Sequence, residues 1–377
     1  MIRIFKNPKI PFMGLKYYFI SFSLVLIILG FIAYFLRGGF NIGIDFAGGT
    51  QLTLKFQEKP DLGKLRKILS ENGFGEATIQ EYDEPELKEF LLRVPNLPGK
   101  EGETITVLQK VLTANLGRGE GFDLNLAGKS TFQLFLMEKF PEKEEEISYL
   151  AQSFSDYKKE KGVIKSVEEL KDLKGMKPEF YLHLKQNSFA GPFSILNAES
   201  VGPKIGKDLQ KKATFAVIFS LLGMLVYIWF RFRHFAYGAG AVIALFHDVL
   251  IALAFLVFFN RAIDLTVIAA LLTLVGYSIN DTVIVFDRIR ENIRLRKGTT
   301  LEEIMNNSIN ETLSRTIITS GLTFIVVACL FFLGGTVIHN FAFVLFVGII
   351  IGTYSSIAIA SPFAWALTKH KFDRKRR

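Results

Sequence analysis

Six stretches of this chain read almost without polar residues, near 17–36, 213–230, 235–259, 265–286, 316–333 and 341–367. Crossing a hydrocarbon core of about 30 Å takes about 20 residues of helix, so each predicts a membrane span. Between the first two spans the pattern changes. Thr50–Phe56 alternates apolar and polar residues, as a half-buried strand does. Asp61–Glu71 places Leu62, Leu65, Ile68 and Leu69 on one helical face and stops at Asn72-Gly73. Ala77–Tyr82 and Phe90–Pro95 read as strands around a turn at Asp83–Pro85. Thr104–Leu116 reads as a second helix and Phe193–Ser200 as a last strand. Strand-helix-strand-strand-helix-strand is the ferredoxin-like order, with two helices on one face of an antiparallel sheet.

The segment around 118–191 interrupts that order. Its first part, LNLAGKSTFQLFL, predicts further strands. Its second part, 149–193, is similar to a helix-hairpin-helix unit: a helix, a turn at Gly162, Ser166 capping a short helix, then LKGM and another helix. Such a hairpin can hold a DNA phosphate with its backbone amides. The competing reading is a lysine-rich helical decoration contacting protein, and no nucleic acid partner is expected.

Composition agrees with the pattern: half of the 377 residues are apolar and 37 are Phe. The net charge of +9 is a topology signal. Residues 1–16 carry Arg3, Lys6, Lys9 and Lys16 with no acid, and Arg231 and Arg233 follow the second span. After the fourth span come Arg288, Arg290, Arg294, Arg296, Lys297 and Arg315 against five acids. The tail adds Lys369, Lys371, Arg374, Lys375, Arg376 and Arg377 against one acid. With six spans these segments all fall on one side, so the positive-inside rule puts both termini in the cytoplasm. Residues 37–212 hold 26 basic and 27 acidic residues and form the outside domain. The first span lacks a small-x-small cleavage site and reads as an uncleaved anchor. The single cysteine, Cys329, lies in a span, so no disulfide supports the outside domain. The expected organisation is 1–36, anchor; 37–212, outside domain; 213–367, five more spans; 368–377, basic tail.

Within the fourth span, LTVIAALLTLVGYSINDTVIVF, Asp281 is the only formal charge. A carboxylate near a helix centre costs roughly 2.5–3.5 kcal/mol on insertion scales, and such groups usually face a bundle interior and mark a proton or ion path. A static polar anchor is the alternative. Asn280 flanks it, Tyr277 lies one helical turn earlier on its face, and Gly276 and Ser278 allow another helix to approach. Arg315 in TLSRTIITS is the natural counter-ion, or else only a positive-inside flank residue. His247 and Asp248 in the third span are candidates for a relay or for structural hydrogen bonding. At the domain junctions, GIDFAGGT supplies Gly43, Gly48 and Gly49 for backbone angles closed to other residues, with Asp45 as a cap, an interfacial ion-pair partner or a local turn residue. VGPKIGKDL supplies Gly202, Pro203 and Gly206 as a hinge or a passive linker.

FNIGIDFAGGTQL, ESVGPKIGKDL and LVGYSINDTVIVFDRIREN, in this order, resemble the SecF family of protein-export membrane subunits, over nearly the whole chain. Two departures stand out: Ala47 where the family often has threonine, and the long insertion. The resemblance implies a membrane α-helical fold equal to half of a resistance-nodulation-division (RND) transporter, with a ferredoxin-like outside domain carrying a helical insertion. It implies a bacterial cytoplasmic membrane, SecD as the other half, SecYEG as the channel served, and a YidC-type insertase and YajC nearby. Exported unfolded polypeptides and lipids are the other expected partners. Asp281 and Arg315 become the pair implicated in coupling proton flow to movement of the outside domain. The rival readings are a half-transporter for a small molecule or lipid, and a non-transporting scaffold. The sequence has no GxxxxGK[ST] loop, no Cys/His metal spacing and no GxSxG, so no enzyme, cofactor or metal is expected.

Overall fold

The computed structural model describes residues 8–82, 87–97, 102–117, 119–232, 234–296, 299–335 and 338–374. Arg3, Lys6, the Asp83–Pro85 turn, Arg118, Arg233, Lys297 and Lys375, Arg376 and Arg377 lie outside the described residues. The chain begins with helix α1 (Lys16–Leu36) and a short α2 (Ile44–Ala47), then β1 (Gly49–Phe56), α3 (Leu62–Glu71), β2 (Thr78–Tyr82), β3 (Glu89–Val94) and α4 (Thr104–Leu116). An insertion follows: β4 (Phe122–Asp123), α5 (Lys129–Lys139), α6 (Glu144–Lys161), α7 (Pro178–Asn187) and β5 (Ser188–Phe189). The sheet is completed by β6 (Phe193–Val201). Then come α8 (Pro203–Phe232), α9 (Phe235–Phe258), α10 (Leu265–Leu295), α11 (Leu301–Leu333), α12 (His339–Ser355) and α13 (Ser361–Arg374), with a π-helical turn at Ser356–Ala360 joining the last two.

Two compact units result. One comprises the residues up to Gly43 together with those from Asp208; the other is Ile44–Lys207. Among the described residues the first holds six helices long and apolar enough to cross a membrane, the last being α12 and α13 run together through the π turn. Polar residues fix where these helices start. Asp264 Oδ1 accepts from Val267 N at 2.9 Å ahead of α10, and Thr300 and Glu303 form a capping box ahead of α11. Close approach depends on small residues: a Cβ on Gly30 of α1 would sit 2.4 Å from Ala254 Cβ of α9, and one on Gly240 would sit 2.8 Å from Ala360 O.

In the second unit the strand order is β2-β3-β1-β6, all antiparallel, which is the ferredoxin-like arrangement. Leu52, Leu54 and Phe56 of β1, Phe90 and Leu92 of β3, and Phe193 of β6 bury one face against Leu65 and Leu69 of α3 and Leu108 and Leu112 of α4. Asp61 caps α3 by accepting from Gly63 N and Lys64 N, and Gly73 ends it at φ +86°.

The insertion builds its own core from Phe132, Leu136, Leu150, Phe154, Phe180 and Leu184. Here two sequence expectations fail. LNLAGKSTFQLFL does not form strands; its second half is α5, because Phe132 and Leu136, four apart, both turn inward, and Gly128 opens a box with Thr131. Ser166 stands ahead of a single 3-10 turn, Val167–Leu170, and its side chain makes no cap hydrogen bond. Asn125 holds the insertion together. Its Nδ2 donates to Ile164 O at 2.7 Å and Gly191 O at 2.6 Å, and its Oδ1 accepts from Ile164 N at 2.8 Å.

Candidate functional site

The membrane unit concentrates its buried polar groups along one side of α10. Ser278, Asp281 and Thr282 recur at helical spacing and are all buried. Each meets a different neighbour. Asp281, 2 % exposed, accepts from Ser320 Oγ of α11 at 2.9 Å. Thr282 Oγ1 lies 2.9 Å from Ser356 Oγ in the π-helical turn. Ser278 donates to Asp248 Oδ2 of α9 at 2.5 Å.

The expected counter-ion is placed differently. Arg315 lies within Coulombic range of Asp281, yet it is exposed and no ion pair joins the two among the described residues. Asn280 also faces outward. Tyr277 and Thr316 each precede a partner of the Asp281–Ser320 bond by one turn, and their hydroxyl oxygens are buried with no hydrogen bond to protein among the described residues. Gly276 does not serve helix approach within this chain, since a Cβ there would meet nothing within 4 Å. The close approach falls instead at Gly352 and Gly348 of α12, where a Cβ would meet Ser278 at 3.1 Å and Leu274 at 2.7 Å.

His247 and Asp248 do touch: Nδ1 lies 2.9 Å from Oδ1. Asp248 also accepts from Ser355 Oγ at 2.8 Å, and His247 Nε2 lies 2.9 Å from Ser23 Oγ of α1. Sequence reasoning found the two ionisable residues, but it took Ser278 only as a small residue for helix approach and missed Ser23, Ser355 and Tyr354. Ser23, Ser355 and Tyr354 sit in ordinary apolar runs, and nothing local distinguishes them from serines that bond their own helix.

The junction residues fall in two places. Gly43 donates to Ile263 O at 2.8 Å, and Ile263 donates back to Asn41 O at 2.8 Å, so this strand-like stretch is stitched to the α9–α10 connection. Asp45 lies in the first turn of α2, where a negative charge suits the helix dipole. Gly48 and Gly49 take φ of +73° and +124°. The two motifs then pack together: a Cβ on Gly48 would sit 3.0 Å from Pro203 Cα, and one on Gly206 would sit 2.9 Å from Phe46 O. Gly202 accepts from Gly206 N at 3.0 Å, inside the first turn of α8. Among the described residues no cluster of His, Cys, Asp and Glu could hold a metal ion.

Comparison with known proteins adds to this geometry. Residues 183–370 match the family model described as protein export membrane protein SecD/SecF, C-terminal, and residues 36–59 match the SecD/SecF GG motif. The protein translocase subunit SecF of Koribacter versatilis is 42% identical over 379 residues, covering 96% of this chain and 92% of its own. That of Thermodesulfovibrio yellowstonii is 34% identical with full coverage of both chains. Among solved structures, SecDF from Thermus thermophilus, described as a translocon-associated membrane protein, matches with a TM-score of 0.69 at 32% identity. It covers 96% of this chain, which spans only 39% of that longer one. These matches favour an export subunit over a small-molecule exporter half. Six spans, a ferredoxin-like unit, the double-glycine junction and full-length identity to translocase subunits together make this chain a member of the SecF family of protein-export membrane subunits.

Proposed function

We propose that this chain, as a SecF-type accessory subunit of the Sec protein-export machinery, uses the proton gradient to assist polypeptide translocation, with Asp281 as the group that loads and releases the proton. The observation that carries this reading is Asp281 itself: a carboxylate 2 % exposed among packed membrane helices, held by one neutral hydroxyl rather than by an ion pair. A charge crossing the membrane yields about 2.3 kcal/mol per 100 mV, enough to bias a two-state rearrangement when several move. The buried, unpartnered hydroxyls of Tyr277 and Thr316 are suited to a hydrated route beside it.

The exposed Arg315 and Asn280 lie on α11 and α10, where a SecD half related by a pseudo-two-fold axis would pack. Arg315 then answers the Asp281 charge at that boundary. The complex sits in the bacterial cytoplasmic membrane with both termini inside and unit Ile44–Lys207 outside, beside SecYEG and near a YidC-type insertase and YajC. The packed Gly48–Pro203 and Phe46–Gly206 contacts form the root about which the outside unit swings. No catalytic step is assigned to the chain. Asp281→Asn should fold and assemble with SecD yet lose proton-stimulated translocation in inverted vesicles. Wild-type stimulation by that variant would overturn the reading.

A further inference from the structure

The second polar cluster, between α1, α9 and α12, contains a row of four contacts whose protons can be counted. Tyr354 Oη donates to Phe19 O at 2.7 Å. Ser23 Oγ lies 3.1 Å from Tyr354 Oη, and His247 Nε2 lies 2.9 Å from Ser23 Oγ. His247 Nδ1 lies 2.9 Å from Asp248 Oδ1. Each hydroxyl has one proton to give, and an imidazole has one or two.

A carbonyl cannot donate, so the Tyr354 proton is committed to Phe19. The Ser23 proton is then committed to Tyr354. Nε2 must therefore supply the proton of its bond to Ser23. The remaining contact needs one more, on Nδ1 or on Asp248 Oδ1. The other carboxylate oxygen does not change this count, because Ser278 and Ser355 both donate to it. Ser23, His247, Asp248, Ser278 and Ser355 are all buried, which leaves water little room to make up a missing donor.

We infer that His247 and Asp248 form a proton-holding pair, and that the proton they share fastens α1 to α9 and α12 through a latch made by Ser23 and Tyr354. In the latched state the pair holds one proton more than a neutral imidazole beside a carboxylate, so its net charge is zero. When that proton leaves, Nδ1–H stays on Asp248 and Nε2 becomes an acceptor. The Ser23 hydroxyl turns from Tyr354 to Nε2. Either the Ser23–Tyr354 contact or the Tyr354–Phe19 contact is then without a donor, and one bond of the latch is lost. One buried hydrogen bond alters the occupancy of such a contact on the order of fivefold.

The titratable groups facing this pair are few. Tyr354 comes from α12, and Asp281 lies one turn beyond Ser278 on α10. On α1 the nearest are Tyr18, Tyr17 and Lys16 at the start of the helix; both tyrosines are exposed, and Lys16 is held by Glu302 at 3.1 Å and Met13 O at 3.0 Å. The turn Ser356–Ala360 contributes only the Ser356 hydroxyl. The latch thus gives α1 a second sensor for the same ion, separate from Asp281.

This inference rests on the reading of the membrane unit as proton-responsive, but it can fail by itself. The test is nitrogen NMR of the full-length chain, labelled with 15N-histidine and held with its SecD partner in lipid nanodiscs. His247 is assigned by its absence in His247→Gln. Near neutral pH, Nε2 of His247 should carry a proton in the native complex. Tyr354→Phe frees the Ser23 proton, so Nε2 should become an unprotonated acceptor in that variant. A bare Nε2 in the native complex overturns the latch, as does an unchanged Nε2 in a folded Tyr354→Phe. The native measurement decides the matter even if the variant does not fold. Proton-stimulated translocation by Asp281→Asn, with Nε2 protonated, would instead remove the proposed role of Asp281 and leave the latch standing.

Discussion

Asp281 and Ser320 are joined by a 2.9 Å hydrogen bond between α10 and α11, and this pairing suits the proposed role of Asp281 as the group that loads and releases a proton. A serine hydroxyl donates to a carboxylate or accepts from a carboxylic acid, so the contact survives both forms. An arginine in contact would hold the acid ionised. Arg315 lies within Coulombic range but forms no ion pair with Asp281 among the described residues.

Removing the hydroxyl should therefore weaken coupling without abolishing it. Leaving a buried carboxylate oxygen without its donor costs about 1–3 kcal/mol, so Ser320→Ala should reduce proton-stimulated translocation about tenfold. Ser320→Thr keeps a donor and should retain most of it. Rates in inverted vesicles with an imposed proton gradient provide the measurement, and equal rates for Ala and native would show that this bond does not matter.

Asn125 gives a test of how the insertion is anchored. Its amide makes three hydrogen bonds to the backbone of Ile164 and Gly191, and the side chain is fully buried. Asn125→Ala leaves those groups unpaired and should destabilise the insertion by about 3 kcal/mol. Hydrogen exchange should accelerate across 122–191 while the amides of β1 and β3 keep their protection. Uniform acceleration through the sheet would mean that insertion and sheet unfold as one.

Lys158 makes the stability of this unit depend on alkaline pH. Its ammonium donates to Asn125 O at 2.6 Å and Ala127 O at 2.8 Å. Burial pushes it down from 10.5 to about 8, against the opposing attraction of Asp123. Asp123 is itself pushed up, chiefly by burial. The folded lysine binds its proton less tightly than the unfolded one, so the unfolded chain carries more protons between about pH 8 and 10.5. Stability contributed by this group should rise with pH across that window and be flat below it. Lys158→Met should remove that slope in denaturant titrations of the full chain; an unchanged slope would assign it to other groups.

Much of this architecture was legible because its causes are local. Runs of about 20 apolar residues permit little except spanning helices, since backbone groups in hydrocarbon must bond within their own segment. Alternation in Thr50–Phe56 and one-sided leucines in Leu62–Glu71 encode the faces they bury. The failure at LNLAGKSTFQLFL has a cause that is not local. FQLFL satisfies both periods, and what selects the helix is a core that Phe132 and Leu136 share with Phe154 and Phe180, far along the chain.

The candidate site divides in the same manner. A lone acid in an apolar run advertises itself, and so do adjacent His247 and Asp248. Their partners do not, because a hydroxyl inside an apolar helix bonds its own backbone unless another helix offers something better.

The sequence by itself determined the six spans, the sheet between the first two, and the acid groups that the membrane must enclose, because hydropathy, periodicity and charge act over neighbouring residues. Only the tertiary structure decided that Ser320 rather than Arg315 touches Asp281, that Gly352 rather than Gly276 admits the next helix, and that Ser23 and Tyr354 close on His247. Those choices depend on the rotation and depth at which packed helices meet, which no single segment encodes.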